Sequence, residues 1–263
     1  MRALSSLPLT DRGLHYGDGL FETMRVVDGH IRLLDRHLGR LVAGAGRLAI
    51  PLPPMDTLRS SLEHAAEGHR DGVLKLIVTR GAGGRGYLPD EHPDPSVVLL
   101  RYPAVAPDTI NAPVTVRLCD LRIARQPVLA GIKHLNRLEY VMARAEWRDP
   151  AIAEGLLLDT SGYLIEGVVS NVFFVREGRL FTPGLHQCGV AGVMRAHVMA
   201  CAERLGIRVE EGGWRLDDLL CADEVFLTNS QSGMRPVVRL SGHRTWAVGD
   251  LTRQLQLALG ADA

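Results

Sequence analysis

The chain of 263 residues is long enough for one large domain or two of about 100–150 residues, and its 46% hydrophobic and 23% charged content is that of an ordinary soluble protein. Thirty basic and thirty acidic side chains cancel, which gives no surplus for nucleic acid, and no apolar run is long enough to span a bilayer. The opening Met1 to Pro8 lacks the apolar stretch of a signal peptide. Four scattered cysteines without a CxxC pair and ten histidines without HExxH spacing exclude a disulfide frame and a metal site and point to the cytoplasm.

In chain order, Leu20 to Val27 reads as a strand, turned by Asp28-Gly29 into a second from His30 to Leu34. A helix from about Asp35, a capping residue, to Leu48 carries Leu38, Leu41, Val42, Ala45 and Leu48 at helical spacing. Pro53-Pro54 introduces a helix to about Glu67. Val73 to Arg80 is a strand, Gly81 to Gly86 a glycine-rich loop, and Ser96 to Tyr102 another strand.

Three prolines between Pro103 and Pro113 mark a linker, placed at 106–113. Beyond it hairpins dominate: Gly155 to Asp159 with Tyr163 to Glu166, and Asn171 to Arg176 with Arg179 to Thr182. A strand covers Glu224–Leu227, and helices are expected at Asn136–Arg148, Val190–Leu205 and Asp250–Leu259. The pattern predicts an α+β protein of two domains: a smaller α/β unit, 1–105, and a larger hairpin-rich one, 114–263.

Only two lysines, Lys75 and Lys133, stand against twenty-eight arginines. An amine can lose its proton when desolvated and condense with a carbonyl, which guanidinium cannot. A codon bias toward arginine explains the scarcity of lysine but not where the two survivors sit. The commonest partner of such a lysine is pyridoxal phosphate, which needs a phosphate cup and an acid beside its ring nitrogen. Glu166 lies in the apolar stretch Tyr163 to Phe174. Buried, it requires a partner; otherwise it is an exposed hairpin-end glutamate. The start of the helix near Val190 to Arg195 offers backbone N–H groups to a phosphate, Thr228-Asn229-Ser230 adds a hydroxyl, and Arg40 adds a fixed charge unless it is simply a solvated helix arginine.

Together the segments Asp11 to Thr23 (with Gly17-Asp18-Gly19-Leu20-Phe21-Glu22), His37 to Leu41, Lys133, Glu166 with Asn171-Val172-Phe173, Gly192 to Arg195 and Thr228 to Ser230 resemble the fold-type IV pyridoxal-phosphate enzymes over nearly the whole chain. That group includes branched-chain and D-amino-acid aminotransferases and aminodeoxychorismate lyase. Thr79 to Tyr87 and Leu129 to Glu139 are most similar to the lyase members. The resemblance implies a D-amino-acid-aminotransferase-like fold and a homodimer. It also implies that Lys133 holds the cofactor, that Glu166 faces the ring nitrogen, and that Arg40, the amides of Val193 and Met194, and Ser230 bind the phosphate. Lys75, Arg85 and Asn229 are implied as contacts to a small diacid substrate, and Thr23 as a residue favouring elimination. Where branched-chain enzymes carry a tyrosine five residues after the lysine, this chain has Leu138.

The implied reaction converts 4-amino-4-deoxychorismate to 4-aminobenzoate and pyruvate. The competing readings are an aminotransferase of branched-chain or D-amino acids on the same scaffold, and a cofactor-free dimeric module without catalysis.

Overall fold

The computed structural model describes residues 7–261; the opening residues 1–6, part of the segment read as carrying no leader, lie outside them. The chain divides into two compact units. The first runs to Val105 and includes Ile132–Arg137; the second comprises Ala106–Gly131 and everything from Leu138 onward.

The first unit is built from α1 (Arg12–Tyr16), β1 (Gly19–Val27), β2 (His30–Ile31), α2 (Leu34–Leu48), α3 (Met55–Glu67), β3 (Asp71–Thr79) and β4 (Ser96–Pro103). Its four strands form an antiparallel sheet in the order β2-β1-β3-β4. Strand alternation decides the faces. Leu20, Met24 and Val26 of β1 and Leu74, Leu76 and Val78 of β3 point into a core with Leu38, Leu41 and Ala45 of α2 and Leu58 and Leu62 of α3. Each such leucine, valine or methionine contributes about 1.5–3 kcal/mol of burial. Phe21, Thr23, Lys75 and Ile77 have the opposite parity and stay half-buried.

Two local expectations change. The second strand stops at Ile31 because Leu33 adopts φ 56° and becomes the N-cap of α2. Asp35 does not cap that helix; its carboxylate accepts from Arg59 at 2.5 Å. The short α1 escapes sequence reading because it is a single turn, capped by Asp11 and closed by Gly17 at φ 65°. A side chain at Gly17 would also strike the Asn136 amide, whose Nδ2 donates to the Gly17 carbonyl.

The second unit contains β5 (Val114–Ile123), α4 (Leu138–Arg144), β6 (Glu154–Asp159), β7 (Leu164–Gly167), β8 (Asn171–Arg176), β9 (Arg179–Pro183), α5 (Val193–Arg204), β10 (Val209–Gly212), α6 (Leu216–Leu220), β11 (Glu224–Asn229), β12 (Gly233–Leu240), β13 (Arg244–Thr245) and α7 (Asp250–Ala261). Its mixed sheet has the order β10-β9-β8-β11-β12-β5-β6-β7, with β13 on β12. The β9–β10, β12–β5 and β5–β6 pairs are parallel. Strands β6, β7 and β8 are buried almost throughout, and the apolar runs Leu156–Leu158 and Val172–Val175 are what strands covered on both faces require. Phe174 and Phe181 stack at 5.2 Å within one core, and Trp147 with Leu157 and Ile165 fills another.

The domain expectation put Lys133 in the C-terminal domain. Its segment belongs instead to the first unit. Phe21 N donates to the Lys133 carbonyl at 3.1 Å, Leu135 N to Gly19 O at 2.9 Å, Leu20 bridges His134, and Ile132 enters the core below β1. Residues 136 and 137, expected to begin a helix, are held by these contacts and by an Arg137–His134 bond, so α4 starts only at Leu138.

Candidate active site

In the first unit, the candidates gather on both sides of β1. On the half-buried face, Thr23 lies directly opposite Lys75 in the β1–β3 register. The two lysines of the chain share one aromatic ring: Lys133 Nζ lies 4.4 Å, and Lys75 Nζ 5.3 Å, from the centre of Phe21. The ring's negative face holds ammonium groups, so β1 collects the two amines beside Thr23. Phe21 had no role in the sequence reading. Its parity with Thr23 and its place before Glu22 were the available signals.

On the opposite, core-facing parity sits Glu22, 1% exposed among Leu20, Met24 and Val26. Arg40 Nε donates to its Oε1 at 2.8 Å and Arg40 Nη2 to its Oε2 at 2.5 Å, while His37 Nδ1 meets Oε2 at 2.5 Å. Burial alone would push the Glu22 carboxyl up. The Arg40 charge and the hydrogen bonds from His37 and Arg40 outweigh it and hold the group at about 2. Arg40 is therefore not a solvated helix arginine. Arg85 stands apart: it is exposed on the loop after β3, and no hydrogen bond or ion pair joins its side chain to another described residue. That loop is pinned through Arg12, whose guanidinium donates to the carbonyls of Gly86 and Tyr87.

In the second unit, the sheet gathers the remaining candidates around Asn171, the first residue of β8. Glu166, at 3% exposure, accepts from Asn171 Nδ2 at 3.2 Å, Val190 N at 3.0 Å and the Tyr140 hydroxyl at 2.5 Å. Asn171 Nδ2 also donates to the Val190 carbonyl. Its Oδ1 lies so close to Gly192, the N-cap of α5, that a Cβ there would come within 2.0 Å. Asn171 pairs with Thr228 in the β8–β11 register, which brings the 229–230 turn to the same end of the sheet. Glu166 is thus buried, which removes the exposed-hairpin alternative.

The turn between Glu166 and Asn171 is organised by another buried acid, Glu154. Its carboxylate accepts from the Gly155, Val168 and Val169 amides and from the Ser170 hydroxyl. Helix α5 begins at Val193, three residues later than expected, because Gly131 bridges Val190 and its carbonyl takes the Ala191 N–H. Val193 and Met194 are buried, and no side chain among the described residues caps this helix. Asn229 uses its side-chain oxygen within its own turn, accepting from Gln231 N and Ser232 N, which leaves its Nδ2 as the group able to donate outward. Tyr140, Asn171 and Glu154 were all missed. Each acts through a contact distant in sequence, and only the apolar surroundings of Glu154 hinted at its burial.

A helix end that is buried and uncapped calls for an acceptor. Each unit carries groups of the kind that pyridoxal phosphate requires: the first a guanidinium fixed at Arg40 and an amine at Lys133, the second backbone donors at Val193 and Met194 and a buried carboxylate at Glu166.

The fold and these groups define an α+β enzyme of the aminotransferase-like, fold-type IV class. Residues 19–240 match amino-transferase class IV, and the chain belongs to that family. The aminodeoxychorismate lyase of Vibrio harveyi is 36% identical over 255 residues, covering 95% of this chain and 94% of the relative. The crystal structure of 4-amino-4-deoxychorismate lyase from Pseudomonas aeruginosa superimposes with a TM-score of 0.94 at 49% identity, covering 99% of this chain and 97% of that one. The D-alanine aminotransferase of Bacillus licheniformis is 31% identical over 265 residues, covering 98% of this chain and 92% of the relative.

Proposed function

We propose that this protein is a lyase that converts 4-amino-4-deoxychorismate to 4-aminobenzoate and pyruvate, with pyridoxal phosphate as cofactor. The observation that carries the reading is the pairing of Lys75 with Lys133 on the Phe21 ring beside Thr23: one amine for chemistry, a second cation next to it for a dicarboxylate substrate. The 49% identity to a lyase over the full length supports the same choice.

Pyridoxal phosphate, when bound, supplies an aldehyde carbon that takes up an amine and a protonated ring that withdraws electrons. Lys133 Nζ would hold it, Glu166 would keep the ring nitrogen protonated, and Arg40, the Val193 and Met194 amides and Ser230 would bind the phosphate. The Lys133 amine would serve as the base that takes the proton from C4 of the substrate. The bond from C3 to the enolpyruvyl oxygen then breaks, pyruvate leaves after protonation, and the ring becomes aromatic. Lys75, Arg85 and the Asn229 amide would hold the two carboxylates, and Thr23 would favour elimination over amine transfer.

We further propose a cytoplasmic homodimer. All four cysteines are free, as in a reducing compartment, and among the described residues no helix is long and apolar enough to cross a membrane. Helix α4 exposes Leu138, Val141 and Met142, at 71, 61 and 57%, along one stripe suited to a second copy of the chain.

The test incubates the holoenzyme with 4-amino-4-deoxychorismate and measures pyruvate and 4-aminobenzoate. Equal release of both is expected, with neither from Lys133→Ala, which also lacks the cofactor's visible absorbance. Amine transfer to 2-oxoglutarate without pyruvate release would replace this reading with the aminotransferase.

A further inference from the structure

A carboxylate in the middle of an apolar strand face costs several kcal/mol unless its charge is matched. Glu22 occupies such a position on β1, between Leu20 and Met24 on the face that packs against α2. The reaction proposed above does not use it. Nor does it use His37, which is fully buried and has no partner at Nε2 among the described residues.

Both acidic oxygens of Glu22 are committed to one edge of one guanidinium. Oε1 accepts from Arg40 Nε and Oε2 from Arg40 Nη2, the paired geometry that fixes the plane of an arginine as well as its position. His37, one turn before Arg40 on α2, meets Oε2 from the other side. Burial disfavours the charged imidazole, so Nδ1–H is the donor and the Glu22 charge is left to Arg40. An arginine side chain otherwise samples many rotamers, and the donors beyond the bound edge would point in as many directions. With Nε and Nη2 locked, the remaining donors have a single heading.

We infer that Glu22, supported by His37, is a positioning residue that aims Arg40 at the cofactor phosphate, so that phosphate affinity depends on a carboxylate which never touches the phosphate. This rests on the reading that Arg40 binds that phosphate, and the experiment separates the two claims.

Variants are equilibrated against graded pyridoxal phosphate and, in parallel, against pyridoxal, which lacks the phosphate; bound ligand is read from its visible absorbance. Glu22→Gln should weaken pyridoxal phosphate at least tenfold while leaving pyridoxal within about twofold. Arg40→Gln should do the same, and Glu22→Gln/Arg40→Gln should be no worse than Arg40→Gln, because Glu22 acts through Arg40. A merely structural role would weaken both ligands equally and would add to the Arg40 effect, and either result overturns the inference. If Arg40→Gln leaves the preference for the phosphorylated ligand intact, the phosphate contact itself falls and this inference with it. If Arg40→Gln abolishes the preference and Glu22→Gln does not, only the positioning role falls. Should Glu22→Gln fail to fold by circular dichroism, Arg40→Lys decides: it keeps the charge without the fork, so a tenfold loss supports the inference and wild-type affinity refutes it.

Discussion

Replacement of Gly192 by alanine tests the arrangement around Asn171 with one methyl group. Gly192 has φ −67° and ψ 139°, which alanine adopts freely, so backbone strain is absent. The added Cβ would instead lie 2.0 Å from Asn171 Oδ1, and the amide must retreat by about 1 Å or more to reach van der Waals contact. That movement breaks the bonds from Asn171 Nδ2 to Glu166 Oε2 and to the Val190 carbonyl. A hydrogen bond to a carboxylate contributes about 1.5–3 kcal/mol and a neutral one about 0.5–1.5 kcal/mol, giving a loss of about 2–4.5 kcal/mol. Alanine is also a poorer N-cap than glycine, which adds a smaller cost at α5. Urea unfolding should show a lower midpoint with unchanged slope, and the variant should bind pyridoxal phosphate more weakly because Glu166 and the helix start are both disturbed. The decisive comparison is the same substitution in an Asn171→Ala background, where nothing remains to strike and only the capping cost, under about 1 kcal/mol, should persist. A Gly192→Ala enzyme as stable as wild type, or an equal loss in both backgrounds, would refute the argument.

Tyr140→Phe removes a 2.5 Å hydrogen bond to Glu166 and should destabilise the fold by about 1.5–3 kcal/mol, with at least a tenfold fall in turnover; unchanged kcat would show that Glu166 does not depend on that donor. Burial lowers the His37 pKa below 6.5, against the raising effect of Glu22, so the unfolded chain takes up a proton first and stability falls as the pH drops below 6.5. His37→Gln should flatten that part of the stability profile, and parallel profiles would contradict the assignment. Burial raises the Glu154 carboxyl above 4.5 despite its four donors, so its contribution is complete below pH 4.5 and declines as the pH climbs through the folded value. Glu154→Gln, which cannot ionise, should remove that decline in urea midpoints measured across the range; a wild-type slope would exclude Glu154 as its source.

Legibility of the sequence followed the range of the interactions. The Asp28-Gly29 turn appears as written, with both residues at positive φ, because a two-residue hairpin is decided by its own backbone. The start of α5 was misplaced because Val190 and Ala191 answer to Gly131, some sixty residues away. Lys133 and Glu166 stood out as candidates, since a rare amine and an acid in an apolar run are visible one residue at a time.

What the sequence determined by itself was the alternation that divides Phe21, Thr23 and Lys75 from Leu20, Glu22 and Met24, and the membership of a family, with a set of candidate reactive groups. Tertiary structure alone decided that Glu22 grips Arg40, that Tyr140 and Asn171 hold Glu166, and that both lysines share the Phe21 ring. The physical reason is that alternation and turn chemistry are properties of neighbouring residues, whereas a buried charge selects its partner from whatever the packed chain brings within about 3 Å.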